Sequence, residues 1–305
     1  MVKKILASVV IFLTLFIFLL IFGKHSNDKL ISPLMREGKM ATNLWFPQSG
    51  GINDDNIQGI TAKAAYFIDT KSGAILYQKN EYQKMPVASL VKIMTVILAV
   101  ENKDFKDTIL ISPRAASMEA DHMQLKRGEK LTVEELLYGI FLVSANDAAE
   151  ALAESTTSSR EDFISQMNLR AWQLGMKDTL FINPTGLEEE SNNQYSTAFD
   201  VALMSRYLIK YFPHIIDISK TPEIFLPESK THQEYTLVSG INLLTTYPGV
   251  VGLKTGYTPQ AGLTLVTMAE KEGHQVLGVL LNSENRREEA RKLLNYSFEK
   301  LGIPP

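Results

Sequence analysis

The feature that most constrains this chain is an apolar helix with a serine and a lysine at its start. Residues 90–100 are apolar except at two positions, which predicts a helix buried in the core of the protein. Pro86 favours a helix start just after it, so Ser89 falls in the first turn. Residues three apart share one helix face, so the Lys92 amine can reach the Ser89 hydroxyl. We therefore predict Ser89 as a nucleophile and Lys92 as its general base.

A lysine must lose its charge before it can accept a proton. An amine surrounded by apolar neighbours and a second cation has a lowered pKa, which makes a neutral Lys92 available near pH 7. The Ser-x-x-Lys spacing alone is not specific, since Ser26–Lys29 and Ser297–Lys300 share it without opening a buried helix. The prediction therefore depends on the context of Ser89 and on two further motifs.

Composition excludes several classes of function. The chain has 305 residues, 45% of them hydrophobic and 21% charged, which is typical of a globular protein. Its net charge of -3 argues against a nucleic-acid-binding protein. The absence of cysteine excludes disulfides, thiolate metal sites and a cysteine nucleophile. The five histidines form no His-x-x-x-His pair, so we expect no metal site. The sequence also contains no Gly-x-Gly-x-x-Gly motif and no phosphate loop, so we expect no other cofactor.

The first residues of the chain have the character of a membrane anchor. Residues 5–22 form an eighteen-residue run broken only by Ser8 and Thr14. As a helix this run is about 27 Å long, close to a hydrocarbon core of about 30 Å. Two lysines precede it, and small residues typical of a cleavage site are missing after it. We expect residues 1–23 to be an uncleaved transmembrane anchor with the rest of the chain outside the cytoplasm; a cleaved signal peptide is the alternative.

A change of pattern near residue 61 predicts the start of the catalytic domain. Residues 24–60 are polar and without sustained periodicity, which is typical of a linker. Residues 61–305 then form the predicted domain. It opens with two short strands, 65–68 and 74–77, joined as a hairpin.

The second motif is a serine and an asparagine in a short turn between two predicted helices. A capping box of Thr132 and Glu135 opens the first helix, and residues 147–154 form the second. Ser144 and Asn146 lie between them, where a hydroxyl and a carboxamide can relay a proton and hold a substrate amide. A plain helix cap is the alternative. The same Ser-x-Asn pattern also occurs at Ser191–Asn193 and Ser283–Asn285.

Capping residues predict two more helices. Ser158 caps a helix that runs to residue 174, and Thr197 caps one that ends near residue 212. Between them, residues 183–187 form a turn by composition, with nothing catalytic visible in it. Residues 213–248 have a mixed pattern that indicates short strands and loops.

The third motif, Lys254-Thr255-Gly256, lies on a predicted strand over residues 250–258 and is followed by Tyr257. A lysine and a threonine on a strand can hold a carboxylate. Gly256 lets a substrate backbone approach and pair along the strand edge. A solvated edge strand without a ligand is the alternative.

The order of the predicted elements indicates the fold class. Residues 263–268 and 275–281 form a second hairpin, and residues 284–301 form a terminal helix. Strands at both ends of the domain, with helices between them, predict an α+β fold. One antiparallel sheet is closed by the two ends of the domain, and a helical region lies alongside.

Taken together, Ser89-x-x-Lys92, Ser144-x-Asn146 and Lys254-Thr255-Gly256 resemble the motif set of the penicillin-binding serine acyltransferases. The surrounding residues are similar to those of the low-molecular-mass D-alanyl-D-alanine carboxypeptidases over residues 61–301. This resemblance implies the fold of penicillin-binding proteins and β-lactamases: an antiparallel sheet flanked by helices plus an all-helical subdomain, with the active site between them.

The resemblance also implies a role for each motif residue. Ser89 is the acylated nucleophile, Lys92 its general base, and Ser144 with Asn146 the second wall of the site. Lys254 and Thr255 bind the carboxylate region of the substrate. Gly256 gives the backbone access described above. The oxyanion hole uses the backbone N–H groups of Ser89 and Tyr257. The cation that binds the terminal carboxylate is left open between Arg286 and Arg287.

The implied partners are peptidoglycan stem peptides as substrates, β-lactam antibiotics as covalent inhibitors, and the membrane through the N-terminal helix, without nucleic acid. Three further functions stay open at this point: a serine β-lactamase, an endopeptidase acting on cross-links, and a non-catalytic wall-binding protein. A β-lactamase needs efficient deacylation, for which Glu188 and Glu189 are the candidate residues because each has an asparagine four positions on.

Overall fold

Strands near both ends of the domain form one antiparallel sheet in the computed structural model, which describes residues 57–189 and 194–304. The strands are Ala64–Asp69 (β1), Ile75–Lys79 (β2), Thr108–Leu110 (β3), Lys130–Thr132 (β4), Glu223–Leu226 (β5), Tyr235–Val238 (β6), Val250–Thr258 (β7), Gly262–Lys271 (β8) and His274–Ser283 (β9). The large sheet has the order β2-β1-β9-β8-β7. β3 pairs with β4, and β5 with β6, as separate two-stranded sheets. Both predicted hairpins are confirmed, and β7 lies at the edge of the sheet.

The helices form a second region between β2 and β7, apart from the last one. They are Lys92–Asn102 (α1), Pro113–Ala116 (α2), Val133–Leu142 (α3), Asn146–Thr156 (α4), Arg160–Gln173 (α5), Ala198–Tyr211 (α6), His214–Ser219 (α7), Leu243–Thr246 (α8) and Arg286–Lys300 (α9). The predicted class, an antiparallel sheet with helices plus a helical region, is confirmed. Residues 213–248, predicted as short strands and loops, also contain the short helices α7 and α8.

α1 is the buried helix that the apolar run predicts. Every residue from Lys92 to Val100 is buried, and the helix packs against α3, α4, α5 and α6. The predicted start of the helix is two residues too early, because Ala88–Val91 form a 3-10 helix and α1 begins at Lys92. Ser89 therefore lies in the 3-10 helix that leads into α1. Ala88 has a φ of 50°, in the left-handed region, so the chain turns sharply before it enters this segment.

The two faces of the large sheet are covered by different helices. On one face, Phe67 of β1 belongs to a buried cluster with Leu293 and Phe298 of α9. On the other face, the ring of Tyr66 lies 5.6 Å from that of Phe199 of α6. This alternation is expected because successive side chains of a strand point to opposite faces. The sheet is therefore enclosed between α9 and α6.

Most of the predicted helix caps are present. Thr132 and Glu135 form the predicted capping box at the start of α3, and the Thr197 side chain accepts from the Asp200 N–H at the start of α6. The predicted cap of α5 is wrong by one residue, because Ser159 accepts from the Asp162 N–H. The side chain of an N-cap residue accepts a hydrogen bond from the second or third N–H group of the helix, and Ser159 is the residue placed to do so.

Several sequence expectations lie outside the described residues, namely the anchor at residues 1–23, most of the linker at residues 24–60, the Ser26–Lys29 pair and the Ser191–Asn193 pattern. At the end of the predicted linker, Ile57 and Ile60 pack against the buried cluster beneath α9. Among the helices of residues 57–189 and 194–304, none has both the length and the apolar character needed to cross a bilayer.

Candidate active site

Ser89 and Lys92 are in contact at the junction of the 3-10 helix and α1. Residues three apart eclipse each other in a 3-10 helix, and Lys92 Nζ lies 2.9 Å from Ser89 Oγ. Lys92 is fully buried, and burial lowers the pKa of its amine to about 7. The negative charges of Asp121 and Asp147 act in the opposite direction and raise this pKa, but by less than burial lowers it. A large fraction of Lys92 is therefore the neutral amine at neutral pH, which is the form that accepts a proton.

A second buried lysine lies close enough to interact with the first. Lys254 is fully buried, and its pKa falls well below the ordinary value because of burial first, and then because of the positive charges of Lys92 and Arg286. Its Nζ donates to the carbonyl oxygen of Thr255 at 2.7 Å. A second amine thus lies near Lys92, but the expectation that a second cation lowers the pKa of Lys92 is not confirmed, because burial is what lowers that pKa.

The turn at residues 183–187 belongs to this site. Lys92 Nζ donates to Thr185 O at 2.6 Å, and Thr95 Oγ1 donates to Pro184 O at 2.7 Å. Gly186 lies directly on the 3-10 helix, since a Cβ at this position would stand 3.0 Å from Ser89 N. The expectation that nothing catalytic is visible in this turn therefore missed a contact with the proposed general base.

Ser144 and Asn146 lie at the start of α4, which packs against α1. Ser144 has a φ of 61°, so the chain between α3 and α4 turns through the left-handed region. In the described part of the chain, Ser144 Oγ and Asn146 Oδ1 are buried, and neither atom has a hydrogen-bond partner. A buried polar atom without a partner costs free energy, so these two atoms are suited to binding a ligand.

The loop of residues 119–125 lies over the start of α4 and is held there by hydrogen bonds with two residues of α4. Asn146 Nδ2 donates to Glu119 O at 3.0 Å, and the Asn146 backbone N–H donates to Asp121 O at 2.8 Å. The Asp147 carboxylate accepts from the backbone N–H groups of Met123 and Leu125. Asp121 belongs to none of the three sequence motifs, yet it is an exposed residue whose charge acts on both buried lysines.

The third motif lies on the edge strand β7, next to the 3-10 helix. Gly256 is the point of closest approach, because a Cβ there would stand 2.9 Å from Ser89 N and 2.6 Å from Thr264 Oγ1. Thr255 is half-buried beside it, whereas the Tyr257 side chain is exposed. The structure therefore brings the backbone of the Lys254–Tyr257 segment to Ser89.

Of the two candidate arginines, Arg286 is the one that contacts β7. Its Nη1 donates to Gly256 O at 2.7 Å and to Thr264 O at 3.2 Å, and burial lowers the pKa of the guanidinium. Arg287 is exposed, with its Nε 3.9 Å from Glu288 Oε1. Arg286 therefore belongs to the site and Arg287 does not.

The two glutamates weighed for deacylation are both engaged elsewhere. Glu188 Oε1 accepts from the backbone N–H of Gln260 at 2.9 Å. Glu189 Oε1 accepts from Arg160 Nη2 at 3.2 Å and from Asn183 Nδ2 at 3.1 Å. Both carboxylates thus fasten the loop after residue 187 to its neighbours.

The second Ser-x-x-Lys pair that the structure describes does not form a site. Ser297 Oγ donates to Leu293 O within α9, and Lys300 Nζ donates to Leu76 O on β2. Within residues 57–189 and 194–304, no group of three or more His, Cys, Asp or Glu side chains is placed to hold a metal ion.

Comparison with known proteins adds a family match. Residues 52–285 match the family described as D-alanyl-D-alanine carboxypeptidase. The D-alanyl-D-alanine carboxypeptidase DacF of Bacillus subtilis is 38% identical over 252 residues, which cover 80% of this chain and 64% of that protein. This chain therefore spans less than two thirds of the length of that relative.

Solved structures agree with the family match. The D-alanyl-D-alanine carboxypeptidase DacD from Francisella tularensis has a TM-score of 0.74 at 30% identity, covering 80% of this chain and 72% of that one. Penicillin-binding protein D2 from Listeria monocytogenes, in its ampicillin-bound form, has a TM-score of 0.70 at 30% identity, covering 80% of this chain and 99% of that one.

Proposed function

Because the chain belongs to the D-alanyl-D-alanine carboxypeptidase family, we propose that it is a serine-type carboxypeptidase that removes the terminal D-alanine from peptidoglycan stem pentapeptides. The family resemblance and the penicillin-binding-protein fold inferred from the three motifs are both confirmed by these comparisons. The observation that carries the proposed activity is the contact of a fully buried lysine amine, Lys92 Nζ, with Ser89 Oγ at 2.9 Å.

Acylation is the first step of the proposed reaction. Neutral Lys92 takes the proton of the Ser89 hydroxyl, and Ser89 Oγ attacks the carbonyl carbon of the penultimate D-alanine. The backbone N–H groups of Ser89 and Tyr257 stabilise the oxyanion, which is supported by the approach of β7 to Ser89 N. The amide bond then breaks, and the departing D-alanine nitrogen receives a proton from Lys92, directly or through Ser144.

Substrate binding uses the walls on either side of Ser89. The unsatisfied Asn146 Oδ1 accepts a substrate amide N–H on one wall. On the other wall, Lys254 and Thr255 donate hydrogen bonds to the terminal carboxylate, and the Arg286 guanidinium supplies the positive charge, since an arginine suits a planar carboxylate. Gly256 leaves room for the substrate backbone along the edge of β7.

Deacylation completes the cycle. Water replaces the departed D-alanine, Lys92 removes one of its protons, and the water oxygen attacks the ester carbonyl carbon. The bond from this carbon to Ser89 Oγ then breaks, Lys92 returns the proton to Ser89 Oγ, and the shortened peptide leaves with a carboxylate. A β-lactam acylates the same serine through its ring carbonyl, and because its leaving nitrogen stays tethered, the ester persists. β-Lactams are therefore expected to be covalent inhibitors rather than good substrates.

A serine β-lactamase is the second candidate, and the environment of the two glutamates argues against it. Glu188 and Glu189 both accept hydrogen bonds from neighbouring groups, so neither is placed as a free base for rapid deacylation. The test measures D-alanine release from a D-Ala-D-Ala peptide and penicillin turnover with the same purified protein. D-alanine release with slow penicillin turnover is expected; no D-alanine release with rapid penicillin turnover would reverse the order.

Endopeptidase activity and non-catalytic wall binding are tested with the same purified protein. An endopeptidase uses the same chemistry on a cross-linked dimer, so equal or faster cleavage of a cross-linked peptide would make that the main activity. A non-catalytic wall-binding protein would release no D-alanine and form no penicillin adduct.

We also propose that residues 1–23 hold the enzyme in the cell membrane with the catalytic domain outside the cytoplasm. The support is the eighteen-residue apolar run and the missing cleavage site. N-terminal sequencing of protein taken from membranes is expected to begin at Met1. A start near residue 24 or later would mean a cleaved signal peptide and would contradict the anchor.

A further inference from the structure

One carbonyl group connects the proposed general base to a buried asparagine. Thr185 O accepts a hydrogen bond from Lys92 Nζ at 2.6 Å. The orientation of this carbonyl is set by its own peptide segment, because Asn183 Oδ1 accepts from Thr185 N at 3.2 Å and from Gly186 N at 2.8 Å. An asparagine that binds backbone N–H groups two and three residues ahead fixes a turn.

The contacts of Asn183 exceed what a surface turn needs. The residue is 1% exposed, and its Oδ1 also accepts from Thr185 Oγ1 at 3.2 Å. Its Nδ2 donates to Leu187 O at 2.9 Å and to Glu189 Oε1 at 3.1 Å. Both polar atoms of the side chain are thus used, and the turn is held from both sides.

The network continues away from the site to α5. Glu189 Oε1, which accepts from Asn183, also accepts from Arg160 Nη2 at 3.2 Å. Arg160 Nε lies 3.3 Å from Oε1 of Glu150, a fully buried residue of α4. The turn is therefore connected to two helices of the helical region rather than carried by a free loop.

The chemistry of the amine gives this arrangement a consequence. A neutral lysine amine has two N–H groups and one lone pair, and it acts as a base only if the lone pair faces the serine hydroxyl. An N–H committed to Thr185 O restricts rotation about the Cε–Nζ bond and leaves the lone pair free for Ser89 Oγ. We propose that Asn183 is a positioning residue for the general base, acting on Lys92 through the Thr185 carbonyl. The proposal rests on the role of Lys92 in the proposed function.

The chain offers a matched control in Asn168. This asparagine of α5 binds the backbone at Phe181, two residues before Asn183 in the same loop. Its Oδ1 accepts from Phe181 N at 2.9 Å and its Nδ2 donates to Phe181 O at 2.8 Å. It has no bond to Thr185 or to Lys92. If Asn183 only held the loop in place, removing the Asn168 side chain would have the same effect on acylation as removing that of Asn183.

The test measures the second-order rate of acylation by a labelled penicillin against pH for the full-length protein and its variants. We expect Asn183→Ala to lower the maximal rate by about 10- to 100-fold, the scale of a misplaced catalytic group. We also expect its acid limb to move to higher pH, because a less restrained Lys92 is better hydrated. Asn168→Ala should change neither quantity, and Asn183→Ser should recover part of the rate, since a serine hydroxyl can also accept from turn N–H groups.

Three outcomes would overturn the proposal. The first is an Asn183→Ala variant with an unchanged rate and acid limb, and the second is an Asn168→Ala variant with the same changes as Asn183→Ala. If Asn183→Ala does not fold, the third is an Asn183→Ser variant whose maximal rate and acid limb both equal those of the unchanged protein, because serine lacks the Nδ2 contacts and is expected to recover only part of the rate. A Lys92→Ala variant that is acylated at a near-normal rate would instead remove the base itself, which separates failure of the proposed function from failure of this inference.

Discussion

Gly256 lies so close to Ser89 that a Cβ atom on residue 256 would stand 2.9 Å from the Ser89 amide nitrogen. The same Cβ would stand 2.6 Å from Thr264 Oγ1 on β8, so β7 could not make room for this Cβ by moving towards Thr264. The edge strand that carries Lys254 and Thr255 can therefore approach the proposed nucleophile only because residue 256 has no side chain.

The first prediction is that Gly256→Ala lowers the rate of penicillin acylation by about 100-fold or more, the scale of losing an oxyanion-hole donor, because β7 must move away from Ser89. Gly240→Ala is the control, since a Cβ there meets only Leu142 O at 3.7 Å. The rate of adduct formation is measured for both variants. Equal rates for Gly256→Ala and the unchanged protein would show that the contact has no role in acylation.

Local sequence patterns predicted the parts of this fold that depend on local contacts. The apolar run at residues 90–100 predicted α1, and the Thr132–Glu135 capping box predicted the start of α3. Both signals arise within one or two helical turns. The alternation and turn residues that predicted the two hairpins are equally local.

The contribution of the turn at residues 183–187 depends on distant contacts. Lys92 and Thr95 are two polar side chains on one face of a buried helix, and buried polar groups need hydrogen-bond partners. The sequence therefore contained a signal that partners exist. It did not contain their position, because Thr185 O and Pro184 O lie 93 and 89 residues along the chain from their donors.

The second prediction concerns the pH dependence of acylation. Only neutral Lys92 accepts the serine proton, and its pKa is lowered to about 7 by burial. The acylation rate should therefore fall as the pH decreases through about 7, with a slope that reports one proton. Rates measured between pH 5 and 9 check this. A rate that stays constant down to pH 5 would contradict Lys92 as the base.

The third prediction uses Asp121, whose negative charge raises the pKa of Lys92 against the effect of burial. Asp121→Asn removes that charge, so the acid limb of the acylation profile should move to lower pH. Glu119→Gln is the control, because Glu119 is an exposed neighbour that contacts the site only through its backbone carbonyl. A limb that moves to higher pH, or moves equally in both variants, would count against this electrostatic role.

The fourth prediction is that burial of Lys92 lowers the free energy of unfolding and makes it depend on pH. The pKa of Lys92 is about 7 in the folded protein and near 10.5 in an unfolded chain, so between these values the unfolded state binds the additional proton. The free energy of unfolding should therefore rise with pH across this window, and Lys254 acts in the same direction.

Lys92→Met should weaken this rise and make the protein more stable at pH 7, by about 1–4 kcal/mol, as when buried charged groups are replaced by apolar ones. Lys106→Met, at an exposed position, should leave the pH dependence unchanged. Urea unfolding at pH 7 and pH 10 measures both effects. A less stable Lys92→Met protein with an unchanged pH dependence would be the opposite result.

The measurement that tests the central claim most directly is mass spectrometry of the protein after reaction with a labelled penicillin, followed by peptide mapping. We expect one acyl group per chain, on the peptide that contains Ser89. We expect no adduct on Ser89→Ala, which should remain folded, since one hydroxyl at this position contributes little to stability. Ser297→Ala, which removes the serine of the Ser-x-x-Lys pair in α9, should be labelled normally. An acyl group on any other residue, or full labelling of Ser89→Ala, would contradict the account.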